Sequence, residues 1–154
     1  MNVKMRPYIA SISMMVLFVT CIVSGQVSAA TLEGGKQKLV PGESAIFQIT
    51  APSKGSSDLH ARCEISEVGG SASLTFDGEN YVPLSEPGIG DVITLSRSDV
   101  RQYNLSGVVN GQVGGSYIAF HYTGEAAAIC FPGMDCSGAS AQSSSVTISC
   151  EDVS

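Results

Sequence analysis

The fold is decided by the stretch Leu59-His60-Ala61-Arg62-Cys63-Glu64-Ile65-Ser66, in which apolar and polar residues alternate. Because successive side chains of a strand point to opposite faces, this pattern predicts a half-buried β-strand whose apolar side chains face a core. The closing stretch Val146-Thr147-Ile148-Ser149-Cys150 alternates in the same way. Cys63 and Cys150 are therefore both predicted to point inward, and we expect a core-facing disulfide between them.

Short alternating segments separated by turn signals recur through residues 39–154, with no helical period of useful length. The pattern predicts one all-β domain, a small immunoglobulin-like or jelly-roll-type antiparallel β-sandwich with two disulfides. A small barrel is the alternative architecture. The side chains predicted to face the core include Phe47, Ile49, Ile65, Leu74, Phe76, Ile93, Leu95, Ile118, Phe120 and Ile148.

The start of the chain has the three parts of a secretory signal peptide. Lys4 and Arg6 form a basic start, an apolar run follows from about residue 9 to residue 23, and Val27-Ser28-Ala29 places small residues where a signal peptidase cuts. Residues 1–29 are thus predicted to be removed, and the mature chain to be secreted or periplasmic. An uncleaved membrane anchor is the alternative, although the apolar run is shorter than the roughly 20 residues of a spanning helix.

Composition restricts the partners of the mature chain. Removal of 29 of the 154 residues leaves 125, enough for one domain, and the formal charge falls from −6 to −8 because Lys4 and Arg6 leave. Phosphate binding needs clustered Lys and Arg, so nucleic acid is not an expected partner. Anionic lipid is disfavoured for the same reason, and no stable membrane insertion is expected after cleavage.

Cysteine parity predicts the disulfide pairing. Apart from Cys21, the chain has four cysteines, an even number that suits an oxidising compartment. Cys130 lies between larger apolar residues and is therefore predicted to point away from the core. Cys136 is near it in sequence, so a local bridge between the two is geometrically easy. We predict bridges Cys63–Cys150 and Cys130–Cys136. The rival pairing joins Cys63 to Cys130 and Cys136 to Cys150, and zinc ligation is disfavoured because no C-x-x-C pair occurs.

The residues suited to catalysis or metal binding are few. His60 and His121 both lie on outward faces of predicted strands, and a metal shared with Glu64 requires those strands to be neighbours. We predict that neither histidine lies in a concave pocket within hydrogen-bond reach of both a carboxylate and a hydroxyl. No G-x-S-x-G elbow of a serine hydrolase is present. No catalytic, metal-binding or cofactor-binding residue is predicted.

Three local patterns carry structural expectations. Asp77-Gly78-Glu79-Asn80 is predicted to be a turn, and its two acids are the nearest pair for glycosidase chemistry. Gly107 is predicted to interrupt or bulge a strand, and Asn110-Gly111 is a hairpin signal.

These observations favour an exported, noncatalytic binding or interaction module with a protein or surface-glycan partner. Its contact loop is predicted to carry Phe131 and Met134, since aromatic side chains and Met are enriched at interfaces. A small secreted hydrolase is one alternative. Another is a structural subunit that assembles by strand addition, using residues 30–38, which Gly34-Gly35 and several charges mark as a flexible N-terminal arm.

Overall fold

A computed structural model describes residues 29–111, 114–124, 132–133 and 144–154. The predicted signal peptide, apart from Ala29, lies outside these ranges. Within them the chain forms strands only, and no helix is long and apolar enough to cross a membrane. The ten strands are β1 (Thr31–Leu32), β2 (Gly35–Leu39), β3 (Ser44–Thr50), β4 (Ser56–Ser66), β5 (Ala72–Glu79), β6 (Tyr81–Pro83), β7 (Val92–Leu95), β8 (Arg101–Asn110), β9 (Ser116–Tyr122) and β10 (Val146–Asp152).

The strands form two five-stranded antiparallel sheets packed against each other, which confirms the predicted all-β sandwich. Sheet I has the order β1-β3-β9-β5-β7, and sheet II has the order β2-β10-β4-β8-β6. Strands that follow one another among the described residues always lie in different sheets. Immunoglobulin sandwiches contain consecutive strands that are neighbours in one sheet, so this connectivity favours the jelly-roll alternative.

One hydrophobic core lies between the sheets. All ten side chains predicted to face it are buried, from Phe47 on β3 to Ile148 on β10. In β4 the buried and exposed residues alternate almost without exception, as the sequence pattern predicts. Phe76 of β5 and Phe120 of β9 meet edge to face with ring centroids 5.2 Å apart. The sandwich is therefore held together by the apolar halves of its alternating strands.

Cys63 and Cys150 form the predicted disulfide. They stand opposite each other where β4 pairs with β10, and both side chains are buried. The rival pairing of Cys63 with Cys130 is therefore wrong, and the sulfurs of Cys63 and Cys150 are not free to hold zinc. Cys130 and Cys136 lie outside the described residues, so their bridge stays a prediction.

Residues 30–38 belong to the sandwich, and the expectation of a flexible arm is wrong for them. β1 pairs with the end of β3 in sheet I, and β2 pairs with β10 in sheet II. The crossing between them needs Gly34, because a Cβ there would lie 2.6 Å from the carbonyl oxygen of Cys150. This glycine permits a close approach of two backbones rather than mobility.

An aspartate of β10 holds the same segment. The Leu32 N–H donates to Asp152 Oδ2 at 2.6 Å. Burial raises the pKa of Asp152, but hydrogen bonds from Leu32 and Ser154 outweigh that effect and leave the pKa below its usual value. Residues 30–38 are thus fastened by a charged hydrogen bond as well as by strand pairing.

Gly107 serves close packing and makes no bulge, contrary to the sequence expectation. β8 runs without interruption through Gly107, which pairs with Leu59 and Pro83. The ring of Tyr81 occupies the place of a side chain, since a Cβ at Gly107 would lie 2.0 Å from Tyr81 Cε2. Burial raises the pKa of Tyr81 to about 12, and its hydroxyl donates to the Ser106 carbonyl at 3.2 Å.

The Asn110-Gly111 pair does not form the predicted hairpin. β8 lies in sheet II and β9 in sheet I, so the chain changes sheets here. The Gly111 N–H donates to the Gly55 carbonyl at 2.8 Å, and a Cβ at Gly111 would lie 2.0 Å from the Pro52 carbonyl oxygen. As at Gly107, a neighbouring segment fills the space of the missing side chain.

The disulfide prediction concerns stability. Cys63 and Cys150 are 87 residues apart. Closing so long a loop should contribute about 4 kcal/mol in the chain-entropy model, against about 2 kcal/mol for a Cys130–Cys136 bridge. The double variant C63A/C150A should therefore lower the denaturant midpoint more than C130A/C136A does. Equal losses, measured by guanidinium titration, would contradict this ranking.

The Gly107 prediction tests the fit of the Tyr81 ring. We expect Gly107→Ala to lower the free energy of unfolding by at least about 2 kcal/mol, because the methyl group displaces the ring and its hydrogen bond. Gly35→Ala is the matched control, since a Cβ there meets nothing within 4 Å. It should change the free energy of unfolding by less than about 0.5 kcal/mol. Similar thermal melts for the two variants would show that the ring is not tightly held.

Candidate functional site

The outer face of sheet I carries the most connected polar cluster. Strand alternation places on this face side chains of β3, β9, β5 and β7, because their alternate residues fill the core. The face includes Ser44, Ile46, Gln48, Tyr117, Ala119, His121, Ser73, Thr75, Asp77, Glu79, Val92 and Thr94. Hydroxyl, amide and acidic groups predominate, and Ile46 and Val92 are exposed among them.

His121 lies on β9, the middle strand of sheet I, and links three strands. Its Nδ1 is 2.6 Å from Ser44 Oγ on β3, and its Nε2 is 3.3 Å from Asp77 Oδ2 on β5. An ionised carboxylate only accepts hydrogen bonds, so in the neutral ring Nε2 carries the proton and donates to Asp77. Nδ1 then accepts from the Ser44 hydroxyl. The three side chains form one hydrogen-bonded chain across the sheet.

The strand register explains this meeting. Ser44 stands directly opposite His121 on one side, and Thr75 stands opposite it on the other. Asp77 is two residues further along β5 on the same face, a diagonal position within reach of a long side chain. His121 therefore has a carboxylate and a hydroxyl within hydrogen-bond reach, which is part of the arrangement that was not expected, but its ring stands on the outer face of a sheet with its side chain 40% exposed. Alternation placed His121 on an outer face, but only the pairing of β3, β9 and β5 made Ser44 and Asp77 its neighbours.

Asp77 does not lie in a turn, although the sequence predicted one. It lies within β5, which extends to Glu79, and only Asn80 of the predicted turn falls between β5 and β6. The intervening Gly78 passes close to β9, because a Cβ there would lie 3.0 Å from the Tyr117 carbonyl oxygen. A glycine beside two acidic residues occurs both in turns and in closely packed strands, so this sequence pattern did not distinguish the two.

The cluster contains the residue types of a serine hydrolase triad, but the backbone around its serine differs from that of a hydrolase active site. Ser44 projects from the face of an extended strand, whereas backbone N–H groups of a strand lie in the plane of the sheet. Hydrolases use a sharp strand-to-helix turn or a loop to aim such N–H groups at the reacting oxygen. The side chains of His121 and Asp77 are also 40% and 43% exposed, so bulk water competes for their hydrogen bonds.

His60 is remote from this cluster. It lies on the exposed face of β4 in sheet II, whereas His121 lies on β9 in sheet I. The two rings are therefore on opposite sides of the sandwich and do not share a metal with Glu64. Among the residues that the structure describes, no group of three or more His, Cys, Asp or Glu side chains is arranged to hold a metal ion.

The outer face of sheet II has a shallow polar depression of about 280 Å³. It is lined by Arg62, Glu64, Gln102, Ser149 and Glu151. Arg62 and Glu151 form an ion pair at 3.2 Å, and both are about half exposed. Exposed pairs of this kind contribute little to stability, but they balance charge locally. Positive and negative groups thus compensate each other on this face.

Charge is divided unevenly between the two sheets. The strands of sheet I contain Asp77 and Glu79 but no Lys or Arg. All Lys and Arg residues within the described strands belong to sheet II, and they are Lys36, Lys38, Arg62 and Arg101. The outer face of sheet I is therefore the acidic face of the sandwich.

Of the predicted contact loop between Cys130 and Cys136, the structure describes Pro132 and Gly133. Phe131 and Met134 lie outside the described residues, so their role stays a prediction. Between them, Pro132 and Gly133 form a turn, and Gly133 has a φ of 105° that favours glycine.

Fold and faces define a small disulfide-bonded β-sandwich with one acidic and one charge-balanced outer face. Comparison of the chain with protein-family models, curated proteins and solved structures finds no match.

Proposed function

We propose that the chain is exported by residues 1–29 and acts as a noncatalytic binding module for a protein or surface glycan in the periplasm or outside the cell. The Cys63–Cys150 bond is compatible with this location, since disulfides persist in oxidising compartments. The arrangement of polar groups supports binding rather than turnover, because they stand on open sheet faces where a macromolecule has access.

The outer face of sheet I is the proposed binding surface, and its composition carries the proposal. Ile46 is 47% exposed and Val92 is 64% exposed, on a face that also presents the Tyr117 ring and many hydrogen-bonding groups. Apolar and aromatic side chains supply contact area at interfaces, and the surrounding polar groups supply direction. Sheet II, by contrast, carries two ion pairs between oppositely charged side chains, Lys36–Glu67 at 3.4 Å and Arg62–Glu151 at 3.2 Å.

The loop that carries Phe131 and Met134 is proposed as a second contact. Met134→Ala should then weaken binding with little effect on the melting temperature. Phe131 has the alternative role of covering the core beside Ile129.

Affinity capture with matched face variants tests the proposal. The mature domain serves as bait in extracellular or periplasmic material of its source, and the bound partner is quantified. D77N/E79Q removes two charges from sheet I, and E64Q/E151Q removes two from sheet II. We expect the sheet I variant to bind the partner at least about tenfold more weakly, with the sheet II variant unchanged. Equal retention by both variants would rule out the sheet I face.

A small secreted hydrolase is the second candidate, because the hydrogen bonds of Ser44, His121 and Asp77 join the residue types of a triad. A fluorophosphonate probe, which phosphonylates activated serines, distinguishes the two functions. We expect no more labelling of the native domain than of its Ser44→Ala variant. Stoichiometric labelling that is lost in both S44A and H121Q would establish a nucleophilic serine and overturn the noncatalytic proposal.

A further inference from the structure

Three of the four sheet edges have features that oppose the addition of a strand, and the first is the edge of sheet I at β1. β1 pairs with only two residues of β3. Beyond it, the Glu33 N–H donates to the Gln48 carbonyl at 2.9 Å, and Gln37 Nε2 donates to the Ile46 carbonyl at 3.1 Å. Residues 31–37 thus occupy the edge carbonyls of β3. This also removes the support for strand addition by a free N-terminal arm.

The two edges of sheet II have common protective features. β2 carries Lys36 and Lys38, and charged side chains on an edge strand oppose the addition of another strand. β6 has only three residues and includes Pro83. Because the Leu84 N–H donates to the Ser106 carbonyl, the backbone of Pro83 faces the free edge, where proline offers no donor.

The β7 edge of sheet I carries neither the charged residues nor the proline of the sheet II edges. β7 consists of Val92-Ile93-Thr94-Leu95, and no other strand of the described ranges pairs with it opposite β5. The Phe76 N–H donates to the Asp91 carbonyl at 3.0 Å, so in this antiparallel register Ile93 and Leu95 bond to β5. The N–H and C=O groups of Val92 and Thr94 therefore point away from the sheet. They are two donors and two acceptors in the spacing that an added strand requires.

The surroundings of β7 indicate the chemistry of its occupant. Ile93 and Leu95 face the core and are each 4% exposed, so residues of an added strand on that side lie beside buried apolar side chains, and apolar residues suit this position. On the outer side Asp91 directly precedes β7, and Asp77 and Glu79 continue the outer face of β5 beyond the four residues that pair with β7. Arg97 follows β7 by two residues, and the strands of sheet I themselves contain no Lys or Arg. Charge complementarity favours basic residues there.

We propose that the β7 edge binds an extended segment of a partner protein in which apolar residues alternate with Lys or Arg, by addition of this segment as a sixth strand of sheet I. The inference rests on the proposed function as a binding module and names the kind of partner that its acidic sheet accepts. Main-chain hydrogen bonds to Val92 and Thr94 provide the affinity, and the alternating side chains provide the specificity.

A short synthetic peptide of alternating Val and Lys, capped at both ends, is the probe. Its binding to the mature domain is measured by fluorescence anisotropy and compared with that of an alternating Val and Glu peptide. We expect the acidic peptide to bind at least about tenfold more weakly. Equal binding of the two peptides would overturn the charge assignment.

N-methylation of the peptide tests strand addition without altering the protein. In an added strand only every second peptide N–H faces β7. Methylation of one alternate set should therefore weaken binding at least about tenfold, while methylation of the other set leaves it unchanged. If the peptide adds antiparallel to β7, the N–H groups of its lysines face β7, and methylation of these groups should weaken binding. If it adds parallel, the N–H groups of its valines face β7, and methylation of those should weaken binding. Equal effects of both sets would show that charge attraction alone holds the peptide and would overturn the proposal.

A protein variant supplies the reciprocal test. Thr94→Pro removes one N–H from the free edge and none from the hydrogen bonds with β5, so peptide binding should fall while the melting temperature remains near that of the native domain.

Sedimentation of the native domain tests whether a second copy of this chain occupies the edge. A dimer that Thr94→Pro converts to monomer would replace the basic partner and overturn the proposal. If D77N/E79Q impairs partner capture but no peptide binds, only the edge assignment fails; if it does not impair capture, the proposed binding face fails.

Discussion

The structure depends on burial of apolar side chains between two sheets, neither of which is built from local hairpins. Each pair of consecutive described strands is divided between the sheets, so every strand pairing joins segments that are distant in sequence. The entropic cost of closing these loops is offset only when both sheets pack together and bury the core. The disulfide supports this arrangement at its centre, because Cys63 and Cys150 link neighbouring strands of sheet II across 87 residues.

Close approach between segments is the second constraint, and glycines make it possible. At Gly107 the ring of Tyr81 fills the space of a side chain, and at Gly34 the Cys150 carbonyl does so. The sequence suggested a bulge at the first position and mobility at the second. Glycine has the same appearance in a sequence whether it supplies a positive φ, mobility or empty space. The local pattern was therefore insufficient, because the neighbour that requires the glycine is far along the chain.

Strand pairing determines which polar side chains meet on the outer faces of the sandwich. Ser44, His121 and Asp77 come from three separate strands and become one hydrogen-bonded chain because β9 lies between β3 and β5. The same pairing concentrates acidic groups on sheet I and leaves the Lys and Arg residues of the strands on sheet II. The sandwich thus presents two chemically distinct surfaces, and the acidic one continues to the open edge at β7. This continuity relates the proposed binding face to the proposed strand-addition site.

The sequence by itself determined the all-β class and the core side chains, because both follow from the period-two alternation of single strands, which needs no knowledge of neighbours. It also predicted the Cys63–Cys150 bond from the inward position of both cysteines, but only the pairing of β4 with β10 excluded the rival. Only the tertiary structure decided which strands are adjacent. It placed residues 30–38 at the edges of both sheets, separated β8 from β9 despite Asn110-Gly111, and brought Asp77 to His121. The physical reason is that alternation fixes the face on which a side chain lies, whereas its neighbours on that face depend on long-range register set by the packed core.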